Sequence, residues 1–128
     1  MRALLDTHTL LWALFVPRLL GPRAREVVFD ANSTLLVSPI SVYEALLKHR
    51  AGRLELAGPL VSGVTLSLAR LGAVELPLTR RHAEVAANFT FRHRDPFDRF
   101  LAAQALVEGV PLVTRDAAFA EFPIEVLW

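Results

Sequence analysis

Arg2-Ala3-Leu4-Leu5-Asp6-Thr7-His8-Thr9-Leu10-Leu11-Trp12 opens the chain, and its change of character at Asp6 decides the fold. Ala3-Leu4-Leu5 is apolar at consecutive positions, as expected of a strand buried on both faces in a parallel sheet. From Thr7 to about Val16, Leu10, Leu11, Leu14 and Phe15 recur at helical spacing until Pro17 stops the pattern. A short strand therefore runs through an acid directly into a helix.

The same alternation continues down the chain. Gly21-Pro22 predicts a helix to about Asn32, with proline in its first turn. Thr34–Ser38 predicts a second strand. Ser38-Pro39 then combines a capping serine with proline at the first helical position, which predicts a helix to Arg50. Gly58-Pro59 predicts one helix to about Leu71, followed by a third strand over Ala73–Leu76. Thr79 caps a helix expected to reach Phe89, residues 90–94 form a basic loop, and Asp95-Pro96 opens a helix to Glu108. Val110–Thr114 is the fourth expected strand, Phe119 falls in a short helix, and Ile124–Leu127 is the candidate fifth strand. Strands alternating with helices throughout predict an α/β domain with a parallel sheet. No linker or internal repeat interrupts the pattern, so one domain is expected over residues 1–128.

Composition narrows the function. The chain has no cysteine, which removes disulfides, thiolate nucleophiles and Cys-ligated zinc. His8, His49, His82 and His93 show no H-x-x-x-H spacing and are expected at or near the surface rather than on zinc. No apolar run approaches the roughly 18 residues of a membrane span, and Asp6 interrupts any signal-peptide pattern. A cytoplasmic location is the expectation. Phosphate-cradling glycine loops and a G-x-S-x-G elbow are both missing.

Four acids then stand out. Asp6 closes the first strand, Asp116 follows the fourth, Glu44 lies six residues beyond the second, and Asp98 sits in the first turn of the helix opened by Asp95-Pro96. Parallel strands would bring these positions to one edge of the sheet, where ligands of open α/β folds bind. Each acid also has a structural explanation. Asp6, Asp95 and Asp116 are placed to cap helices, and Ser41-Val42-Tyr43-Glu44 has the spacing of a capping box. Against the last reading, Ser38-Pro39 is the better helix start and leaves Glu44 a turn and a half inside. Carboxylates gathered at one edge repel one another unless a cation neutralises them, so their joint placement predicts a site for a hard divalent ion.

The net charge of +1 conceals a basic remainder once those acids are set aside. The cations are thirteen arginines and Lys48. Several lie near two of the acids: Arg80-Arg81-His82, Arg92-His93-Arg94, Arg99 and Arg115. An acid pocket with a basic rim suits a metal-dependent enzyme acting on a polyanion, while solvated helix faces are the alternative reading of any single arginine.

These residues also carry a family likeness. Leu4-Leu-Asp-Thr-His-Thr-Leu-Leu-Trp12 resembles the opening of PIN domains, specifically VapC-type toxins of type II toxin–antitoxin pairs. Ser38-Pro-Ile-Ser-Val-Tyr-Glu-Ala45, with Lys48 one turn on, is similar to the second motif of that family. His93-Arg-Asp-Pro-Phe-Asp-Arg-Phe-Leu-Ala-Ala-Gln-Ala105 resembles the third, and Leu112-Val-Thr-Arg-Asp116 the fourth. The resemblance spans nearly the whole chain, with the motifs in order. It implies a Rossmann-like PIN fold, an α/β/α sandwich around a mainly parallel sheet of four to five strands. The implied activity is a magnesium- or manganese-dependent ribonuclease with Asp6, Glu44, Asp98 and Asp116 as catalytic and metal-holding acids. Asp95 either assists the ion or caps its helix, and Thr114 matches the hydroxyl that accompanies the last acid. A VapB-type antitoxin lying over the acidic groove and a homodimer are the implied partners. On that reading Arg92, Arg94, Arg99 and Arg115 steer the RNA phosphates.

Two rival classes remain. Acid clusters also serve DNA nucleases and phosphatases, although the short chain leaves little room for the arch or cap these need. A non-catalytic, magnesium-binding receiver-like domain would need a lysine after a late strand. The lone lysine, Lys48, falls inside the third expected helix instead.

Overall fold

The computed structural model describes residues 1–90 and 92–128. Among these, five strands form one parallel sheet: β1 (Arg2–Leu5), β2 (Thr34–Val37), β3 (Val74–Glu75), β4 (Leu112–Val113) and β5 (Val126–Leu127), in the order β3-β2-β1-β4-β5. β1 lies at the centre, pairing Leu5 with Val37 of β2 on one side and with Val113 of β4 on the other. Strand order reverses direction at β1, so the carboxyl ends of β1, β2 and β4 open onto one crevice.

Helices α1 (Thr7–Phe15), α2 (Pro22–Phe29), α3 (Pro39–Arg50), α4 (Gly58–Val61), α5 (Val64–Leu71), α6 (Arg80–Asn88) and α7 (Pro96–Glu108) alternate with the strands. Successive strand residues point to opposite faces, and the core divides accordingly. Ala3, Leu5, Leu35 and Val37 pack with Leu10 and Ala13 of α1, Val27 and Val28 of α2, and Leu68 and Leu71 of α5. Leu4, Leu36 and Leu112 pack on the other face with Leu101, Ala102 and Ala105 of α7. Helical layers therefore cover both faces, as the alternation and the consecutive apolar residues of β1, β2 and β4 predict. No helix among the described residues is long and apolar enough to cross a membrane.

Differences from the sequence reading are local. The helix expected over Gly58–Leu71 is two helices, because Gly63 adopts an extended φ of −172° between α4 and α5. The third, fourth and fifth strands pair over two residues each. In β3, which forms a sheet edge, both residues are exposed. His82 is fully buried rather than part of a basic surface. Its Nδ1 accepts from the Thr79 backbone N–H at 3.1 Å, completing a capping box, and Nε2 bonds Glu108 at 3.0 Å. The sequence Thr79-Arg-Arg-His82 conceals this role because histidine is not the usual third residue of the box. Phe91 of the expected basic loop lies outside the described residues.

Candidate functional site

The acids arrive at the crevice on different elements. Asp6 follows β1 and caps α1, its Oδ1 accepting from the Thr9 N–H at 2.7 Å. Its other oxygen accepts from the hydroxyl of Thr114, immediately beyond β4. Asp6 is thus both a helix cap and a member of the crevice, and it is only 7% exposed. Ser38 caps α3 through the Ile40 N–H at 3.1 Å, so Glu44 is free of any capping role. The Glu44 carboxylate accepts from the Thr7 hydroxyl and from Lys48 Nζ, the latter at 2.8 Å, while remaining 6% exposed.

Asp95 caps α7 through Oδ1, which accepts from the backbone N–H groups of Phe97 at 2.9 Å and Asp98 at 3.2 Å. Asp98, one turn inside, accepts from His93 Nε2 at 2.8 Å. Asp116 caps the 3-10 helix Ala117–Glu121 through the Ala118 N–H at 2.9 Å, and its own N–H donates to Thr114 at 3.0 Å. Asp6, Glu44, Asp95, Asp98 and Asp116 all line one cavity of about 110 Å³, with Thr7, His8 and Lys48 on its wall. The structure therefore brings together all four acids singled out in the sequence, together with Asp95.

Crowding is visible in the electrostatics. Burial pushes the Asp6 carboxyl up from its ordinary value, against the lowering effect of its hydrogen bonds to Thr114 and Thr9. Asp98 is pushed up to about 6, first by burial and further by Asp95 and Glu44, with the His93 hydrogen bond opposing. Five carboxylates line the cavity with Lys48 and His8, and His93 bonds Asp98 from outside that lining. Their donors are hard oxygens, the ligand type of magnesium and manganese, so the residues present fit such an ion. No ready-made group of three or more ligands exists among the described residues. Each acid is instead turned toward its own partner: Asp6 to Thr114, Glu44 to Lys48 and Thr7, Asp98 to His93, and Asp116 to the Ala118 N–H.

The raised carboxyls make a stability prediction for the chelated protein. A carboxyl whose folded value exceeds its unfolded one binds more protons folded than unfolded, so stability falls as pH rises through that window. For Asp98 the window runs from about 4 to about 6, and the penalty is fully present at neutral pH. Asp98→Asn should then raise stability at pH 7 by roughly 1 kcal/mol, a value discounted because water reaches part of the carboxyl. It should also flatten the pH dependence of Tm between pH 4 and 7 in EDTA. A Tm profile unchanged in shape would contradict the assignment.

Lys48 was singled out in the sequence, one turn beyond the second motif, whereas two further participants, Thr7 and His93, were given no role there. Lys48 was legible, since Glu44 and Lys48 stand at the i, i+4 spacing of a helical ion pair. Thr7 was not, because its contact with Glu44 crosses 37 residues. His93 lies five residues before Asp98, across a loop whose path no local rule predicts. Of the arginines expected to meet phosphates, Arg92, Arg94 and Arg115 are exposed. Arg99 is turned inward: its guanidinium donates to the carbonyls of Ala86, Phe89, Thr90 and His93 at 2.7–3.1 Å. Those bonds close the C-terminal end of α6 and hold the loop carrying His93, so they give Arg99 a positioning role.

Similar folds recur among solved structures. VapBC2 from Rickettsia felis, crystallised bound to a DNA fragment from its promoter, superimposes with a TM-score of 0.70 at 16% identity, with 100% of both chains covered. VapBC-1 from nontypeable Haemophilus influenzae gives 0.65 at 16%, covering 98% of this chain and 96% of that one. FitAcB from Neisseria gonorrhoeae gives 0.59 at 22%, covering 97% and 95%. At such identities these likenesses show a shared fold. No curated protein matches the sequence. PIN domains are nucleases and generally use divalent metals, which accords with an acid-lined crevice built of oxygen donors. The sequence pattern of the PIN domain matches residues 3–125, and with the acids of all four motifs gathered in one cavity at the carboxyl edge of β1 and β4, the chain belongs to the PIN domain family.

Proposed function

We propose that this protein is a metal-dependent ribonuclease, a VapC-type toxin held in check by a cognate VapB-type antitoxin and acting as one domain over its 128 residues. The observation that carries the reading is the convergence of five carboxylates on one cavity, with Arg92, Arg94 and Arg115 exposed. Relatives in fold include proteins solved as VapBC and FitAB assemblies, which supports an antitoxin as partner. A homodimer in the cytoplasm completes the proposal.

Asp6 and Asp98 would hold the principal ion, magnesium or manganese, with Glu44 and Asp116 completing the site. Such an ion supplies Lewis acidity, which lowers the pKa of water and neutralises charge on the phosphate. The remaining functions belong to the chain. The Thr114 and Thr7 hydroxyls hold the carboxylates of Asp6 and Glu44 in place. Lys48 pairs with Glu44 and the His93 ring bonds Asp98, so both carboxyl groups have a partner before an ion arrives. Asp95 holds the first turn of α7, and with it the placement of Asp98. Arg92, Arg94 and Arg115 hold the backbone phosphates on either side of the cut.

The direct test incubates the purified protein with RNA and with single-stranded DNA of the same sequence, in magnesium, in manganese and in EDTA. Cleavage of RNA only in the presence of metal is expected, and RNA left intact in both metals would overturn the proposal. Arg92→Ala and Arg94→Ala should each weaken RNA binding. Each should also reduce the slope of log affinity against log salt by about 0.7, one phosphate contact on a single strand. A slope equal to that of the unaltered protein in both variants would remove these arginines from the interface.

A further inference from the structure

A second cavity, of about 390 Å³, adjoins the acid site: Trp12, Arg115 and Ala117 line it alone, while Asp6, His8 and Asp116 line both. We infer that this cavity is a nucleobase subsite: the base next to the cut phosphodiester stacks on Trp12 and His8 while Arg115 holds the adjoining phosphate. The inference rests on the ribonuclease reading and adds where the substrate's bases are received.

His8 and Trp12 stand at i and i+4 on α1 and so share one helix face. Their ring centroids lie 5.6 Å apart at 48°. Trp12 is half-buried, and its indole packs against Trp128 at 5.6 Å and 59°, which fixes the plane it offers to the cavity. His8 and Arg115 are exposed. The volume falls within the roughly 300–1,000 Å³ typical of small-ligand clefts, whereas the acid cavity at about 110 Å³ is far below it. A phosphate held through an ion at the acids would therefore have an aromatic-walled space beside it on the α1 side. Aromatic rings stack on any base, and a guanidinium beside them suits the phosphate backbone. The two cavities share Asp6, His8 and Asp116; the first adds three more carboxylates, which suit a cation, and the second adds Trp12 and Arg115, which suit a base and its phosphate. The occupant is a base of a single-stranded substrate.

The test uses the full chain carrying Trp128→Phe, which leaves Trp12 as the single tryptophan, together with Asp98→Asn to stop cleavage without altering the second cavity. A 12-nucleotide RNA is titrated by tryptophan fluorescence, alongside a series in which one abasic nucleotide is walked through the strand. The unaltered protein is assayed in parallel for cleavage. Trp12 emission should quench on binding. An abasic nucleotide at one or two positions beside the cut should weaken affinity by about ten-fold, the scale of a lost base stack, and His8→Ala should erase most of that difference. Equal affinity at every abasic position with unchanged Trp12 emission, in a protein that still cleaves RNA, would overturn the subsite and leave the nuclease reading standing. A protein that neither cleaves nor binds the strand would overturn both.

Discussion

Asp6→Asn is expected to abolish cleavage, by at least about 10³-fold, while leaving the protein folded and its chelated form somewhat more stable. The carboxyl is 7% exposed at the centre of the crevice, and the proposed ion depends on its charge. The amide oxygen of asparagine can still accept from the Thr9 N–H that closes α1. Removing a charge that burial already disfavours relieves a desolvation cost. Were Asp6 only a cap, activity would be kept, because asparagine caps a helix about as well as aspartate. The pair of measurements is cleavage of labelled RNA in magnesium and Tm in EDTA. Near-normal cleavage would end the assignment of Asp6, and a large fall in Tm would make any loss of activity a folding effect.

Arg99→Ala should carry the other large effect, on structure first and activity second. One guanidinium donates to four carbonyls of residues 86–93 at 2.7–3.1 Å. Charge-assisted hydrogen bonds are among the stronger ones, and carbonyls left without a partner add their own cost. A loss of about 2–4 kcal/mol is expected in urea unfolding. Arg99→Lys should restore little of it, because an ammonium group cannot reproduce the fork that spans several carbonyls. Since His93 hangs from the same loop and holds Asp98, cleavage should fall as well, at temperatures where the variant is still folded. Stability unchanged in Arg99→Ala, accompanied by weaker RNA binding, would instead return this arginine to the phosphate-contacting group.

Much of this molecule was legible because it is local. Asp6-Thr7, Ser38-Pro39, Thr79 and Asp95-Pro96 announce helix starts through capping chemistry that acts over two or three residues, and each does so in the structure. Consecutive apolar residues in Ala3-Leu4-Leu5 and Leu35-Leu36-Val37 announce strands covered on both faces. The break between α4 and α5 was missed because Gly63 sits within an otherwise apolar helical pattern, where glycine weakens a helix without having to end it. The inward turn of Arg99 was missed because its acceptors are backbone carbonyls, which leave no mark in a sequence.

By itself, the sequence determined the alternation of strands and helices, the caps that begin the helices, and the positions of the acids at strand ends and first helical turns. Only the tertiary structure decided how those acids meet. The bond from Thr114 to Asp6 spans 108 residues and that from Thr7 to Glu44 spans 37. Both follow from placing β1 between β2 and β4. Strand order is a choice among ways of burying the same apolar surface, settled by packing over the whole sheet rather than by any neighbouring residue. The acids became one site because the centre of the sheet went to β1.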